Sequence, residues 1–177
     1  MKLIILDRDG VINQDSPGFI KGPEEWKPIA GSLEAIARLT QAGYRVVVAT
    51  NQSGIGRGLF DMATLNAINA KMHKQVSQAG GRIEAIFYCP DTAESDSLYR
   101  KPSPGMLLEI GERLAMPLAD VPAVGDSLRD LQAAAAVKAR PILVLTGKGA
   151  KTLEAGELPE GTQVYPDLAA VAGHLLA

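Results

Sequence analysis

The sequence predicts an α/β protein with a Rossmann-like, mostly parallel sheet, helices on both faces of the sheet and no cap domain. Short apolar runs alternate along the chain with longer stretches of helical periodicity, which is the order expected of strand–helix–strand units. The apolar runs are continuous rather than alternating, as in strands that are buried on both faces. Polar residues follow several of these runs directly, and in such sheets ligands bind at the carboxyl ends of the strands.

Five apolar runs are predicted as strands. The first, residues 2–6, reads KLIIL, and the second, residues 45–49, reads RVVVA. Most of the runs are rich in valine or isoleucine, which favour extended backbone. The other three, in chain order, are residues 83–88, 121–124 and 141–145.

Five amphipathic stretches are predicted as helices. The first begins at the N-cap residue Ser32 and ends at Gly43, since hydroxyl side chains cap helix amides and glycine commonly follows a helix. The third begins at Ser103 and Pro104, where an N-cap residue precedes a proline at the first helical position. The others run from about 61 to 80, 127 to 138 and 167 to 176.

The composition bounds the class of protein. Apolar residues make up 46% and charged residues 21% of the 177 positions, as in globular domains. With 18 basic and 20 acidic residues the net charge is −2, which argues against a nucleic-acid or membrane-surface partner. The single cysteine, Cys89, rules out an internal disulfide. No apolar run has the length of a membrane span or a signal peptide. We therefore expect one cytoplasmic domain over residues 1–177, acting as a monomer.

Polar residues stand at or next to the predicted strand ends. Asp7 and Asp9 follow the first strand. Thr50 follows the second strand and Asp126 the fourth, while Lys101 precedes the third helix. Each alone has a plainer explanation, because aspartate and threonine often cap turns and most lysines are solvated. In a parallel sheet, however, all of them meet at one edge, where three carboxylates repel one another and need a cation. Oxygen ligands of this kind suit Mg²⁺.

These residue types suit phosphoryl transfer, which depends above all on positioning and charge neutralisation. One aspartate can act as a nucleophile and form an aspartyl-phosphate. A second acid nearby can protonate the leaving oxygen and then deprotonate the hydrolytic water. Mg²⁺ bridges the nucleophile and the phosphate, while a hydroxyl, backbone amides and a lysine hold the remaining oxygens.

Four motifs, taken in order, resemble those of the haloacid dehalogenase-like phosphatases. They are DRDG at 7–10, TNQSG at 50–54, RKP at 100–102 and GDS at 125–127, and the similarity extends to about residue 145. Within that family the motifs are most similar to those of phosphatases that act on heptose bisphosphate and on histidinol phosphate.

The resemblance implies a role for each motif residue. Asp7 would be the nucleophile and Asp9 the general acid and base. Mg²⁺ would be held by Asp7, the Asp9 carbonyl and Asp126. Thr50 would bind the transferring phosphoryl group and Lys101 would stabilise it. Substrate contacts are expected from Asp15, Ser16, Gly18, Phe19, Asn51, Gln52, Ser53, Arg100 and Ser127.

The motif spacing leaves no room for a cap domain. One helix, one strand and loops fill the chain between Asp9 and Thr50, and again between Thr50 and Lys101. The site should therefore be open, so that loops alone exclude water and select the substrate. The best candidate is the first loop, residues 14–26, with Trp26 as a packing residue at its base.

Two features depart from the enzymes that the motifs resemble. Those enzymes carry a zinc loop with three cysteines and a histidine before RKP, whereas residues 89–99 keep only Cys89. Structural zinc takes four Cys or His ligands, so we expect no zinc here and a loop held by packing and hydrogen bonds. Ser127 stands where many relatives have a basic residue. Arg129 could compensate, although a surface position on its helix is the simpler interpretation. Residues 147–149 (GKG) are predicted as a plain turn.

Three functions compete at this point. The favoured one is a Mg²⁺-dependent phosphatase that removes the 7-phosphate of a heptose 1,7-bisphosphate in bacterial synthesis of cell-surface polysaccharide. The second keeps the chemistry but acts on histidinol phosphate or another small phosphomonoester. The third is a receiver-like signalling module that accepts phosphate on aspartate. Receivers place these groups in a different order and lack an acid two residues after the nucleophile, which makes the third reading the weakest.

Overall fold

The computed structural model describes residues 2–177 and contains a six-stranded sheet in which all neighbouring strands are parallel. Across the sheet the order is β3-β2-β1-β4-β5-β6, so the predicted fold class is confirmed. The strands are β1 (Lys2–Leu6), β2 (Tyr44–Asn51), β3 (Ala85–Cys89), β4 (Pro122–Gly125), β5 (Arg140–Val144) and β6 (Gln163–Tyr165).

Helices cover both faces of this sheet. One face carries α1, α3 and α7, and the other carries α4 and α5. The helices are α1 (Ser32–Gln41), α2 (Ser53–Gly56), α3 (Met62–Gln78), α4 (Gly105–Leu114), α5 (Leu128–Ala136), α6 (Gly149–Ala155) and α7 (Leu168–Leu175).

The central strand β1 shows why its sequence is a continuous apolar run. Ile4 and Leu6 pack into the core under α1, α3 and α7. Leu3 and Ile5 point the other way and pack against α4 and α5. Because successive side chains of a strand face opposite sides of the sheet, every position of β1 after the first is buried.

Three short elements escaped the sequence prediction. β6 has three residues at the sheet edge, and its middle residue, Val164, is 39% exposed. α6 buries only Gly149, and α2 has four residues. Elements this short and this exposed carry no readable periodicity, since hydrophobic patterns need a longer window.

The predicted caps of two helices differ from the observed ones. Gly31, with φ 87°, is the N-cap of α1, and the Ser32 hydroxyl instead donates to the Val11 carbonyl at 2.8 Å. That hydrogen bond ties the start of α1 to the loop after β1. The helix α4 begins at Gly105 with Pro104 as its N-cap, so the predicted Ser103 cap is wrong.

The long loop between β1 and α1 is anchored at its base. It contains one short 3₁₀ turn, Pro23–Glu25, and no inserted domain among residues 7–31. Trp26 is fully buried, as predicted. Lys71 on α3 donates to the carbonyls of Pro23 and Trp26 at 2.7 and 2.8 Å. Among residues 2–177, no helix combines the length and the hydropathy needed to cross a lipid bilayer.

Candidate active site

The sheet order brings three motifs together at the carboxyl ends of adjacent strands. β1 lies between β2 and β4, with Leu6 opposite both Val48 and Val124. Asp7 therefore emerges between Thr50 and Asp126, which lie two residues beyond those partners. On one side of β1 the sheet continues with β2 and β3, and on the other side it continues with β4, β5 and β6. Such a switch in strand order opens a crevice for ligands at the carboxyl ends of the strands.

The RKP segment joins this edge through Asn51, at the end of β2. The Asn51 side-chain amide donates to the Lys101 carbonyl at 3.0 Å, and its oxygen accepts from the Lys101 backbone amide at 3.1 Å. This pair of hydrogen bonds fixes the backbone of Lys101 and aims its side chain into the site. Asn51 was predicted to contact substrate, and it lines the neighbouring cleft as well.

Lys101 is a buried cation held by three oxygens. Its Nζ donates to Asp130 Oδ1 at 2.6 Å, to the Ala49 carbonyl at 2.8 Å and to Asp7 Oδ1 at 3.3 Å. Burial alone would lower the pKa of this ammonium, but the charges of Asp130 and Asp7 outweigh it and raise the pKa above its usual value. Lys101 is therefore positively charged and placed beside the predicted nucleophile.

Asp130 takes a structural role that the sequence did not assign. Its Oδ2 accepts from the backbone amides of Asp126 and Ser127 at 3.2 and 3.1 Å and from the Ser127 hydroxyl at 2.9 Å. Burial would raise the pKa of Asp130, yet Lys101 and the Ser127 donors hold it below its usual value. The signal was present as a capping box, Ser127 followed three residues later by an acid.

The carboxylates of Asp7, Asp126 and Asp130 bring oxygens within 4.8 Å of one another. Burial, followed by repulsion from Asp130, raises the pKa of Asp7 well above its usual value and that of Asp126 to about 7. Both Asp130 oxygens are already engaged by donors. The negative charges of Asp7 and Asp126 are thus not balanced by the positive charge nearby. This imbalance fits a divalent cation that prefers oxygen ligands, such as Mg²⁺.

Asp9 stands apart from that cluster. Its carboxylate accepts from Arg8 Nε at 2.8 Å, Asn13 Nδ2 at 3.0 Å and Gln52 Nε2 at 3.3 Å. Burial would raise its pKa, but the Arg8 charge and these hydrogen bonds lower it. Gln52 also donates to the Thr50 hydroxyl at 2.9 Å. Gln52, predicted to contact substrate, is buried, and its side-chain amide nitrogen donates to both Asp9 and Thr50.

A cleft of about 250 Å³ opens next to Asp9. Its walls include seven of the predicted residues: Asp9, Asp15, Ser16, Phe19, Asn51, Ser53 and Arg100. They also include Arg57 and Lys148, which the prediction left out, and Arg129, for which a surface position on its helix was the simpler interpretation. Ser127 lines a narrower space of about 50 Å³ beside Asp7, Lys101 and Asp126. Gly18 does not line the cleft, and its carbonyl accepts from Lys21 Nζ at 3.0 Å.

The segment that would correspond to a zinc loop is tied by side-chain hydrogen bonds. Cys89 is buried, and its thiol donates to Asp91 Oδ2 at 3.5 Å. The Ser97 hydroxyl accepts from the backbone amides of Tyr99 and Arg100 at 3.2 and 3.3 Å. These contacts position the chain immediately before Lys101.

The loop after β5 also belongs to the site, although the sequence indicated only a turn. The Lys148 amide donates to Asp126 Oδ2 at 2.9 Å, and the Thr146 hydroxyl donates to the Gly10 carbonyl at 2.6 Å. Lys148 Nζ lies 3.7 Å from Asp15 Oδ2 in the first loop. Through these contacts the loop holds Asp126 and the DRDG turn in place.

Replacing Gly147 by Ala should weaken the metal site. Gly147 has φ +57°, and a Cβ there would overlap with Asp126 Oδ2 and crowd the Gly10 backbone. We expect the apparent Kd for Mg²⁺, followed by thermal shift, to rise at least about tenfold, because disturbing the groups that orient metal ligands lowers metal affinity by about 10–100-fold. Gly161→Ala is the matched control, since Gly161 also has a positive φ but no atom lies within 4 Å of its added Cβ. Equal Mg²⁺ affinity in the two variants would contradict the bracing role.

Two family profiles match the chain. One, described as polynucleotide kinase 3 phosphatase, matches residues 2–127. The other, described as HAD-hydrolase-like, matches residues 98–171. Together they span all four motifs and the sheet from β1 to β6.

Several named proteins are similar to the chain over nearly its full length. The D-glycero-β-D-manno-heptose-1,7-bisphosphate 7-phosphatase of Bordetella bronchiseptica is 62% identical over 176 residues, 99% of this chain and 98% of the relative. The Pseudomonas aeruginosa protein of the same name is 54% identical over 98% of this chain and 97% of its own. A crystal structure of D,D-heptose 1,7-bisphosphate phosphatase from B. bronchiseptica, complexed with magnesium and phosphate, matches with a TM-score of 0.98 and 62% identity, covering 99% and 98% of the two chains.

Proposed function

The chain belongs to the haloacid dehalogenase-like phosphatases, and from that membership we propose that it removes the 7-phosphate of D-glycero-β-D-manno-heptose 1,7-bisphosphate with the help of Mg²⁺. One observation carries the proposal. The side chains of Asp7, Asp126 and the buried Lys101 converge at one edge of the sheet. The chain that carries them matches a heptose-1,7-bisphosphate 7-phosphatase over 99% of its length. The β anomer is taken from the names of those relatives.

The first half of the reaction is a transfer to Asp7. An Asp7 oxygen attacks the phosphorus of the 7-phosphate, and the bond between phosphorus and the sugar oxygen breaks. Asp9 gives a proton to the departing oxygen, which leaves as the 7-hydroxyl of the sugar. A phosphate dianion in the cleft raises the pKa of Asp9 by repulsion, which opposes the donors that lower it in the free protein. Substrate binding thus favours the protonated form of Asp9 that this step needs.

The second half is hydrolysis of the aspartyl-phosphate. Asp9, now a carboxylate, takes a proton from a water molecule that attacks the phosphorus. The bond between phosphorus and the Asp7 oxygen breaks, inorganic phosphate leaves, and the Asp7 carboxylate is restored. Lys101 balances charge on the transferring group, with its Nζ 3.3 Å from Asp7 Oδ1. Mg²⁺, held by Asp7, Asp126 and the Asp9 carbonyl, would supply the neutralising charge for the phosphate oxygens.

A substrate panel tests the proposal directly. Phosphate release is measured with Mg²⁺ and four substrates: the β and α anomers of the heptose 1,7-bisphosphate, histidinol phosphate, and an oligonucleotide with a 3′-phosphate. We expect kcat/KM to be highest for the β-bisphosphate. A higher value for histidinol phosphate or for the oligonucleotide would overturn the substrate assignment while keeping the phosphatase chemistry. A stable phospho-Asp7 without turnover would favour a receiver instead.

We also propose that the protein works in the cytoplasm as a monomer, as an enzyme of heptose synthesis for cell-surface polysaccharide. The single buried cysteine, which forms no disulfide, supports the cytoplasm. The site is complete within one chain, which supports a monomer. Sedimentation at micromolar concentration should give the mass of one 18.7 kDa chain.

Without metal, stability should fall as the pH rises through neutrality. The pKa of Asp126 is about 7 in the folded protein against an ordinary value of 3.8, so between these pH values the folded state binds more protons than the unfolded chain. The unfolding free energy in EDTA should therefore decline by on the order of 3 kcal/mol between pH 5 and 8. Saturating Mg²⁺ should remove most of this decline, because the cation replaces the proton as partner.

Urea denaturation at the two pH values measures this dependence. The matched variant is Asp126→Asn, which has no titrating group at that position and should show a flatter pH dependence in EDTA. Asp7, whose pKa is also raised, adds to the decline and leaves some slope in this variant. Asp9 and Asp130, whose pKa values are lowered, are ionised in both states across this range. An unchanged slope in Asp126→Asn would show that another group is responsible.

A further inference from the structure

Arg8 lies between the two acids of the DRDG motif, and the reaction derived above gives it no part. Its side chain is fully buried. Both terminal nitrogens, Nη1 and Nη2, are buried without a hydrogen-bond partner among residues 2–177. Buried charged nitrogens that lack acceptors cost free energy. An apolar side chain of similar volume would avoid this cost, so stability alone does not explain a guanidinium at this position.

The polar contact that Arg8 does make with its side chain is with Asp9. Its Nε donates to Asp9 Oδ1 at 2.8 Å, and Asn13 Nδ2 donates to the same oxygen at 3.0 Å. Asn13 is also fully buried, and its carbonyl accepts from the Gly10 amide at 2.7 Å. The turn that closes the motif therefore brings two buried donors to one oxygen of Asp9.

The other oxygen of Asp9 keeps the capacity to react. Oδ2 accepts from Gln52 Nε2 at 3.3 Å, which is longer than either contact at Oδ1, and a carboxylate oxygen has about two lone-pair sites. The Asp9 side chain is 22% exposed and lines the cleft of about 250 Å³. Oδ1 is thus held by donors from inside the protein, whereas Oδ2 can still exchange a proton with a ligand.

We propose that Arg8 is a positioning residue for Asp9: together with Asn13 it holds Oδ1, so that Oδ2 exchanges protons with substrate and water. The proposal rests on the proposed function, because it needs Asp9 to act as general acid and base. In the first half of the reaction the Oδ2 proton passes to the sugar oxygen as the bond between that oxygen and phosphorus breaks. In the second half Oδ2 takes one proton from the attacking water, whose oxygen forms the new bond to phosphorus.

Two substitutions separate the hydrogen bond of Arg8 from its packing. The side-chain amide nitrogen of glutamine lies as many bonds from Cα as the Nε of arginine, so Arg8→Gln keeps a donor for Asp9. Arg8→Met has a methyl group at that point and donates nothing. Both variants remove the two terminal nitrogens that lack partners. A difference between them therefore reports the donor.

The leaving group supplies a readout that a purely structural role would not move. A general acid accelerates departure of a weakly acidic alcohol, whereas an acidic phenol leaves without a proton. The value of kcat/KM is measured with Mg²⁺ on heptose bisphosphate, phenyl phosphate and dinitrophenyl phosphate. Arg8→Met should lower it at least about tenfold on the first two esters and less than about threefold on the third, as for a misplaced catalytic group. Arg8→Gln should stay within about threefold of wild type on all three.

Arg45→Met is the control. Arg45 Nε also pairs with a carboxylate, that of Glu84 at 2.6 Å, but at the amino end of β2. Its loss should leave the ratio between the three esters unchanged. If Arg8→Met does not fold, Arg8→Leu takes its place as the variant without a donor.

Three outcomes would overturn the role of Arg8: equal losses on all three esters in Arg8→Met, no loss in that variant, or a loss in Arg8→Gln as large as in Arg8→Met. Wild type that hydrolyses the aryl phosphates but not heptose bisphosphate would overturn the substrate assignment alone, since the aryl comparison does not depend on it. Wild type without activity on any of the three esters would overturn both.

Discussion

Asp7→Asn is expected to abolish turnover, with kcat falling by about 10⁴-fold or more, as when a covalent nucleophile is removed from a hydrolase. An amide oxygen does not attack phosphorus at a useful rate, and no other carboxylate can replace it. In the proposed mechanism Asp126 helps to hold Mg²⁺, and Asp130 is held by Lys101 and the Ser127 donors. Phosphate release from the heptose bisphosphate at saturating Mg²⁺ measures the effect.

The same variant should not be less stable in EDTA. Burial and the charges of Asp130 and Asp126 raise the pKa of Asp7, so its carboxylate is unfavourable in the metal-free fold at neutral pH. Replacing it by a neutral isostere should leave the melting temperature unchanged or higher, which separates a catalytic loss from unfolding. Asp120→Asn is the control, because Asp120 is an exposed partner of Arg140 far from the motifs. Turnover by Asp7→Asn within about tenfold of wild type would rule out Asp7 as nucleophile.

Asp130→Asn is expected to lower both stability and turnover, although Asp130 touches neither substrate nor product in the mechanism. The change leaves Lys101 without its 2.6 Å partner. The change also replaces one carboxylate oxygen of Asp130 by an NH₂ group. That group cannot accept the hydrogen bond that Oδ1 now receives from Lys101 or Oδ2 from the Asp126 amide. Breaking a buried ion pair by removing one charge costs about 3–5 kcal/mol. With its ammonium less firmly held, Lys101 should stabilise the transferring group less well, and kcat should drop about 100-fold.

The loss of stability and the loss of turnover in Asp130→Asn can be measured separately below the melting temperature. A purely structural role would reduce the folded fraction but leave kcat per folded molecule unchanged. Asp167→Asn is the matched control, since Asp167 caps α7 through the Ala170 amide and asparagine caps equally well. Wild-type kcat per folded molecule in Asp130→Asn would contradict the view that Asp130 positions Lys101.

The strands and the motif edge could be predicted from the sequence because both depend on local patterns. β1 is a five-residue strand with four consecutive apolar residues, and residues that follow parallel strands must share one edge of the sheet. The order of the motifs then places Asp7, Thr50 and Asp126 together with no knowledge of side-chain packing. β6 and α6 could not be predicted, since they are short edge elements with little buried surface.

The rest of the site arises from tertiary packing that no local pattern reveals. Lys148 reaches Asp126 through its backbone amide, so its side-chain type carries no signal for that contact. Arg57 and Arg129 look like ordinary surface residues until the fold places them across one cleft. Gln52 belongs to a motif that suggested substrate binding, yet its amide is used by Asp9 and Thr50.

The central claim is that hydrolysis passes through a phosphate ester on Asp7, and the stereochemical course at phosphorus tests it most directly. A substrate whose 7-phosphate carries sulfur in place of one oxygen and is chiral through two oxygen isotopes is hydrolysed in water labelled with the third isotope, and the configuration of the released thiophosphate is determined. Two successive in-line displacements, first by Asp7 and then by water, predict overall retention of configuration. Inversion would show that water attacks the substrate directly and would contradict the covalent mechanism.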